Sequence, residues 1–121
     1  MIEPFDWRAR CSRYLHDAMP TRLGNLASNL ARIAACAERG RNSTLPPLLR
    51  ETQWFIEWTG PELALSQQME LVQLQIELAR WQLRCRAGAD GIDYNGLAQI
   101  ARTAGTQALA WSGLSDPSKL K

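Results

Sequence analysis

Few residues in this sequence could do chemistry, and they are widely spaced. His16 is the single histidine, and the three cysteines Cys11, Cys36 and Cys85 have no CxxC spacing and no neighbouring histidine. A zinc site needs several converging ligands, and a catalytic histidine needs a nucleophile and an orienting carboxylate. Asp17 follows His16 directly, so on a helix the two side chains point in different directions. We therefore interpret His16 as a structural or surface histidine and the cysteines as buried, reduced thiols.

The segment DGIDYNGL, at residues 90–97, superficially matches the second half of a calcium-binding loop. The alternating carboxylates that should precede Gly91 are missing, and Asn95 or Gly96 stands where a bidentate glutamate is needed. A loop followed by a helix with Asp93 as its N-cap explains the segment better. We predict no metal site and no cofactor.

Two carboxylates, Glu70 and Glu77, share one face of the longest helical pattern with Arg80 and Arg84. At these spacings they form surface pairs worth about 0.2–0.5 kcal/mol each. We interpret the face as solvated rather than as a two-carboxylate active site. Because no nucleophile, base and orienting group come together in the pattern, we predict that the protein is not an enzyme.

Length and composition limit the number of domains, the partners and the location that we expect for this chain. A chain of 121 residues with 45% hydrophobic residues and five tryptophans can bury a core, and we expect one domain over residues 1–121. The net charge of +2 gives no general attraction to nucleic acid or to anionic lipid. No run reaches eighteen apolar residues and the N-terminus lacks an export pattern, so we expect a soluble, cytoplasmic protein without a membrane segment.

The longest uninterrupted helical pattern runs from Pro61 to Arg86, and its apolar residues fall on two opposite seams. The first seam consists of Leu65, Met69, Val72, Ile76, Ala79 and Leu83. The second seam consists of Leu71, Leu74, Leu78, Trp81 and Cys85. Between the seams lie a charged stripe of Ser66, Glu70, Gln73, Glu77, Arg80 and Arg84, and a glutamine stripe of Gln68, Gln75, Gln82 and Arg86. A helix that is apolar on two sides is expected to have neighbours on both.

Periodicity, prolines and glycines predict four further helices and no strand. The predicted helices span 3–18, 20–39, 46–59, 61–87 and 94–112, with a tail over 113–121. Gly40 and Gly113 are placed to end helices. We predict an all-α, up-down bundle of four principal helices with an additional N-terminal helix, and the first two helices could also form one kinked rod.

Two segments carry a resemblance, namely RETQWFIEWTGPEL at residues 50–63 and ELVQLQIELARWQ at residues 70–82. Here the sequence resembles short uncharacterised helical proteins found in cyanobacteria. The resemblance rests on Trp54, Phe55, Trp58, Leu71, Leu74 and Trp81. It implies a cytoplasmic helical bundle from a photosynthetic bacterium, and it transfers no catalytic residues.

Our leading functional prediction is a non-catalytic interaction or scaffold module that forms a homodimer or binds a protein partner. The predicted interface joins the tryptophan pair of the third helix to the second seam: Trp54, Trp58, Leu71, Leu74, Leu78 and Trp81. In the competing interpretation, the first and last helices cover both surfaces of the central helix within one chain.

The alternative function is binding of an anion or a nucleic acid by arginines at one pole of the bundle, where two helices end. The cluster would contain Arg39, Arg41, Arg84 and Arg86. Cations at helix C-termini are also explained by the backbone dipole. Nucleic acid is disfavoured further, because the segment lacks interleaved aromatic residues and the chain lacks net basicity.

Overall fold

The computed structural model describes residues 6–40, 43–87 and 92–113. Its helices are α1 (Trp7–His16), α2 (Met19–Glu38), α3 (Leu45–Thr59), α4 (Leu65–Ala87) and α5 (Asn95–Ser112), with a short 3₁₀ turn over Gly60–Glu62. These residues contain no strand, so the predicted all-α class is confirmed. The predicted start of the first helix at residue 3 and the tail after Gly113 lie outside the described residues.

The boundary between α1 and α2 is a real break. The Asp6 carboxylate caps α1 by accepting two backbone N–H groups of its first turn at 3.1 Å. Asp17 and Ala18 are both extended, so the alternative of one kinked rod is wrong. Pro20 then lies in the first turn of α2, where its missing N–H breaks no helical hydrogen bond.

The other helix ends follow the glycines, but the start of α4 does not follow the sequence prediction. Gly40 and Gly113 adopt left-handed backbone angles, with φ of 67° and 74°. The predicted central helix begins at residue 61, whereas α4 begins at Leu65. The 3₁₀ turn and the extended Leu63 reverse the chain first, so the reversal takes more residues than the sequence indicated.

The closest helix pair is α2 and α5. A Cβ built on Gly105 would lie 3.4 Å from the Leu30 Cβ and 3.6 Å from the Ala27 carbonyl oxygen, so the two backbones approach closely. Arg102 of α5 forms an ion pair with Glu38 at the end of α2. Because the later α5 residue meets the earlier part of α2, these helices run antiparallel. The alanine-rich α5 therefore approaches α2 closely.

One core joins all five helices. Helix α2 packs against α3, α3 packs against α4, and α1 packs against α3. Arg10 of α1 also forms an ion pair with Glu51 of α3. The largest fully buried apolar side chains are Leu23, Leu26, Leu30, Ile33, Leu45, Leu49, Leu78 and Leu97.

Candidate interaction surface

The second seam of α4 lies in the core of the chain. Leu71, Leu74, Leu78 and Trp81 are all buried, and Cys85 packs partly buried against the same cluster. The sequence prediction that these residues supply an interface with another molecule is therefore wrong. Contacts within the chain already cover them.

The first seam is the exposed side of the same helix. Leu65, Met69, Val72, Ile76 and Leu83 are between 42% and 72% exposed. They are five of the eight large hydrophobic side chains that are exposed in the described part of the chain. The apolar exposure of this protein is therefore concentrated on one face of α4, and Ala79 on the same seam is exposed as well.

The size of this patch lies at the upper end of what monomers expose. Five exposed aliphatic or methionine side chains in a row present roughly 400–600 Å² of apolar surface, which is near the upper limit of the largest patch on a typical monomeric protein. The largest apolar patch on a protein is often functional. The first seam is thus the candidate functional site.

The glutamine stripe on one side of the first seam is held against α3. The Gln75 side-chain amide donates to the Gln53 backbone carbonyl at 3.2 Å, and the Gln53 side-chain amide donates to the Gln82 amide oxygen at 3.0 Å. These two hydrogen bonds favour the rotation of α4 in which the second seam faces the core.

The charged stripe borders the other side of the first seam. Arg80 bonds Glu77 at 3.3 Å, and both side chains are partly solvated. The Arg84 guanidinium lies over the Trp81 ring, 4.6 Å from its centroid. Acidic residues occupy the first half of this stripe and basic residues the second half, so the stripe is electrically polarised along the helix.

The tryptophan pair of α3 lies on a different surface from the first seam. The rings of Trp54 and Trp58 stack with centroids 6.1 Å apart. Trp58 also lies 5.6 Å from the Tyr14 ring and 6.0 Å from the Phe55 ring. It packs where α1 crosses α3. The prediction of one exposed surface formed by this pair and the second seam is wrong, because the second seam is buried.

A cleft of about 520 Å³ separates α4 from α5. The two helices meet near their connection, where the Trp81 and Tyr94 ring centroids are 5.9 Å apart. The cleft lies further from this contact, over Leu26 and Leu30 of α2. Its lining is apolar side chains together with glutamate, glutamine and threonine, which do not form a nucleophile and base set.

The remaining predicted site residues are dispersed. His16 is exposed at the end of α1. The three cysteines are unpaired as predicted, but each is half-buried rather than buried. Burial raises the pKa of the Cys85 thiol, which bonds Tyr94. Across residues 6–40, 43–87 and 92–113, no group of histidine, cysteine, aspartate or glutamate could hold a metal ion.

Three of the four arginines of the predicted pole lie in the part of the chain that the structure describes. Arg39, Arg84 and Arg86 are exposed at the ends of α2 and α4, and Arg41 lies outside the described residues. The Arg84 guanidinium is directed to Trp81. Anion binding by these four residues therefore stays a prediction.

Within the part of the chain that the structure describes, no helix is long and apolar enough to cross a membrane. Comparisons with protein-family models, with curated proteins and with solved structures gave no match. The resemblance to small helical proteins of cyanobacteria is not tested by these comparisons and also stays a prediction.

Proposed function

We propose that this protein is a non-catalytic interaction module that forms a homodimer through the first seam of α4. The observation that carries the proposal is the burial contrast on one helix, since Leu78 is inaccessible while Leu83, of the same residue type, is 66% exposed. A helix whose second apolar face is exposed to solvent is typical of a binding surface without its partner.

The patch is large enough for such an interface. Pairing the first seams of two copies removes roughly 800–1,200 Å² of surface in total, which is the range of weak or transient protein interfaces. Buried area does not convert directly into affinity, because the ordering of side chains and the desolvation of polar groups offset the hydrophobic gain. We therefore expect a dimer of moderate affinity rather than an obligate one.

Two structural features accompany this proposal. We propose that α2, α3, α4 and α5 form an up-down bundle, which is supported by the antiparallel contacts of α2 with α5 and by the short reversal between α3 and α4. We also propose a cytoplasmic location, because free thiols at Cys11, Cys36 and Cys85 suit a reducing compartment.

The test is sedimentation of the wild-type protein beside substituted variants. Val72→Glu and Ile76→Glu place a charge in the first seam at exposed positions, so the fold is expected to survive. Each variant should sediment as a folded monomer at concentrations where the wild type is a dimer. Leu15→Glu is the matched control, because Leu15 is 43% exposed, like Ile76 at 42%, but lies on α1.

The control should remain dimeric. A wild-type protein that stays monomeric up to high concentration would refute the proposal, as would a dimer that both first-seam glutamates leave intact.

A further inference from the structure

We propose that the cleft between α4 and α5 binds a small amphipathic cation, namely an apolar chain or ring that carries one ammonium group. The apolar part lies along Ile100 and Ala104 of α5, and the ammonium bonds the Glu70 carboxylate of α4. The cleft lies on the side of α4 that carries the charged stripe and opens toward α5, away from the first seam. Binding at this site therefore does not require self-association.

The cleft exists because α4 and α5 meet closely at one end only. A Cβ built on Gly96, at the start of α5, would lie 3.3 Å from the Trp81 ring of α4. Beyond this contact the two helices separate, and Leu26 and Leu30 of α2 close the bottom of the opening. The space of about 520 Å³ is within the range of small-molecule sites, which is roughly 300–1,000 Å³.

The walls of the cleft are apolar at their base. Leu71 and Leu74 of α4 are buried there, whereas Ile100, Ala104 and Trp111 of α5 are only half-buried. The accessible apolar surface of the cleft therefore comes mainly from three side chains. A stable protein interface buries about 800 Å² on each partner, which three half-buried side chains cannot supply. A small molecule consequently fits the cleft better than a second protein does.

The charges on the edges of the cleft are negative. Among the described residues that line it, the charged ones are Glu70 and Glu77, and the opposite edge consists of neutral glutamine and threonine side chains of α5. Glu77 bonds Arg80 at 3.3 Å, whereas Glu70 forms no ion pair within the described part of the chain. An unpaired carboxylate beside an apolar wall favours a ligand that is apolar and positive over a fatty acid or another anion.

Gln107 lies about level with Glu70 on the opposite edge of the cleft. The two helices run antiparallel from the contact of Gly96 with Trp81, and Gln107 and Glu70 are each eleven residues from that contact. An ammonium group has several N–H donors, so it can bond the Glu70 carboxylate and the Gln107 amide oxygen together. Both side chains are exposed, so the ammonium keeps part of its hydration while the apolar part enters the cleft.

Octylamine, octanol and octanoate test the class of ligand, because they share one alkyl chain and differ in the charge of the head group at neutral pH. Isothermal titration calorimetry of the wild-type protein at low salt should show that octylamine binds about tenfold more tightly than octanoate, with octanol between them. The preference for octylamine should shrink as salt is added. Equal affinities, a preference for octanoate or no binding of octylamine overturn the proposal.

A charge variant and its matched control test the role of Glu70. Glu70→Gln removes the exposed carboxylate and should weaken octylamine binding about three- to fivefold, while octanol binding stays unchanged. Glu57→Gln makes the same change at an exposed position of α3, so it should alter neither affinity. If Glu70→Gln binds octylamine as tightly as the control does, the ammonium does not bond Glu70 and the proposal is wrong.

Two further variants test whether the alkyl chain lies in the cleft. Ala104→Leu fills the apolar wall and should abolish binding of octylamine and octanol, with circular dichroism as the check that the protein is folded. Octylamine should also shift the tryptophan fluorescence of the wild type, and Trp111→Phe should lose most of this shift because Trp111 lines the cleft. Binding that survives in folded Ala104→Leu, or a shift that Trp111→Phe retains in full, places the chain elsewhere and overturns the proposal.

Discussion

The hydroxyl groups of Tyr14 and Thr59 lie 2.6 Å apart and join α1 to the last residue of α3. The Tyr14 hydroxyl also donates to the Arg22 carbonyl oxygen at 3.0 Å, which ties the start of α2 to the same point. The Tyr14 ring stacks on Phe55 with centroids 4.4 Å apart. The short N-terminal helix is thus anchored in the core by one aromatic side chain with a satisfied polar end.

Replacing Tyr14 by phenylalanine should lower the free energy of unfolding by about 1–3 kcal/mol, because the Thr59 hydroxyl and the Arg22 carbonyl lose a buried partner while the ring stacking remains. Urea unfolding followed by circular dichroism measures the change. Thr59→Val should cost a similar amount, and the double variant should cost clearly less than the sum of the two. Additive costs would show that the two hydroxyls do not interact.

Alkaline pH should destabilise the protein through the same tyrosine. Burial raises the pKa of Tyr14 from its ordinary value of 10.0 to about 12. Above pH 10 the unfolded chain therefore releases this proton while the folded chain retains it, so stability falls as pH rises toward 12. Burial also raises the pKa of Tyr94, which adds to the fall. Urea unfolding across this range should show a shallower decline for Tyr14→Phe than for the wild type. Equal declines would contradict the assignment.

Helix positions were largely predictable because their determinants are local. The period of the apolar residues, the proline in the first turn of α2 and the glycines at positions 40 and 113 act within a few residues. The start of α4 was misplaced because the choice between a 3₁₀ turn and an α-helix at residues 60–62 depends on how the two helices pack. Local preference does not decide that choice.

The outward face of α4 was not predictable from the sequence. Both seams have the same period and a similar apolar content, so neither pattern marks the inner side. Burial of the second seam depends on the contact of Trp81 with Tyr94 and on the hydrogen bonds of Gln53 with Gln75 and Gln82. These contacts join different helices. Periodicity shows that a helix has two apolar faces. Only the tertiary contacts determine which of the two faces is buried.

An ion pair between a buried arginine and an exposed glutamate was also missed, because its partners are far apart in sequence. Arg22 is 6% exposed, and its guanidinium forms two hydrogen bonds to the Glu62 carboxylate, at 2.5 and 3.0 Å, and one to the Asp17 carbonyl oxygen at 3.1 Å. These bonds hold the 3₁₀ turn against α2. The sequence offered only an arginine near the start of a helix and a glutamate in a turn.

Arg22→Lys should therefore cost about 1–3 kcal/mol of unfolding free energy, since an ammonium group cannot reproduce the forked contact. The matched control is Arg102→Lys, whose ion pair with Glu38 lies at the surface. That change should stay within about 0.5 kcal/mol. Chemical denaturation of both variants provides the comparison, and equal costs would show that the forked geometry at Arg22 is unimportant.

Two leucines of α4 provide a test of which seam faces the core. Leu78→Ala should cost about 2–5 kcal/mol of unfolding free energy because it opens a cavity at a side chain with no exposure. Leu83→Ala, at 66% exposure, should cost less than about 0.5 kcal/mol in the dilute monomer. Leu83→Ala should nevertheless weaken the proposed dimer. Reversed costs would mean that α4 is rotated relative to the orientation described above.

Gly105 tests the close contact between α2 and α5 with two substitutions of opposite effect. A methyl group at this position meets the Leu30 Cβ at 3.4 Å, which is an ordinary contact distance. Alanine is also favoured over glycine inside a helix by about 1 kcal/mol, so Gly105→Ala should leave the melting temperature unchanged or raise it. Gly105→Leu should lower it, because the longer side chain has to push the two helices apart at a cost of about 1–3 kcal/mol or more.

Thermal unfolding of both Gly105 variants should be compared with that of Ala110→Leu, which adds a leucine at an exposed position of the same helix. The control should have a melting temperature close to that of the wild type, because its free energy of unfolding should change by less than about 0.5 kcal/mol. If Gly105→Leu has the same melting temperature as the control, α2 and α5 do not pack as closely at Gly105 as the 3.4 Å contact with Leu30 indicates. If Gly105→Ala is strongly destabilised, the two backbones lie closer together than the space for a methyl group allows.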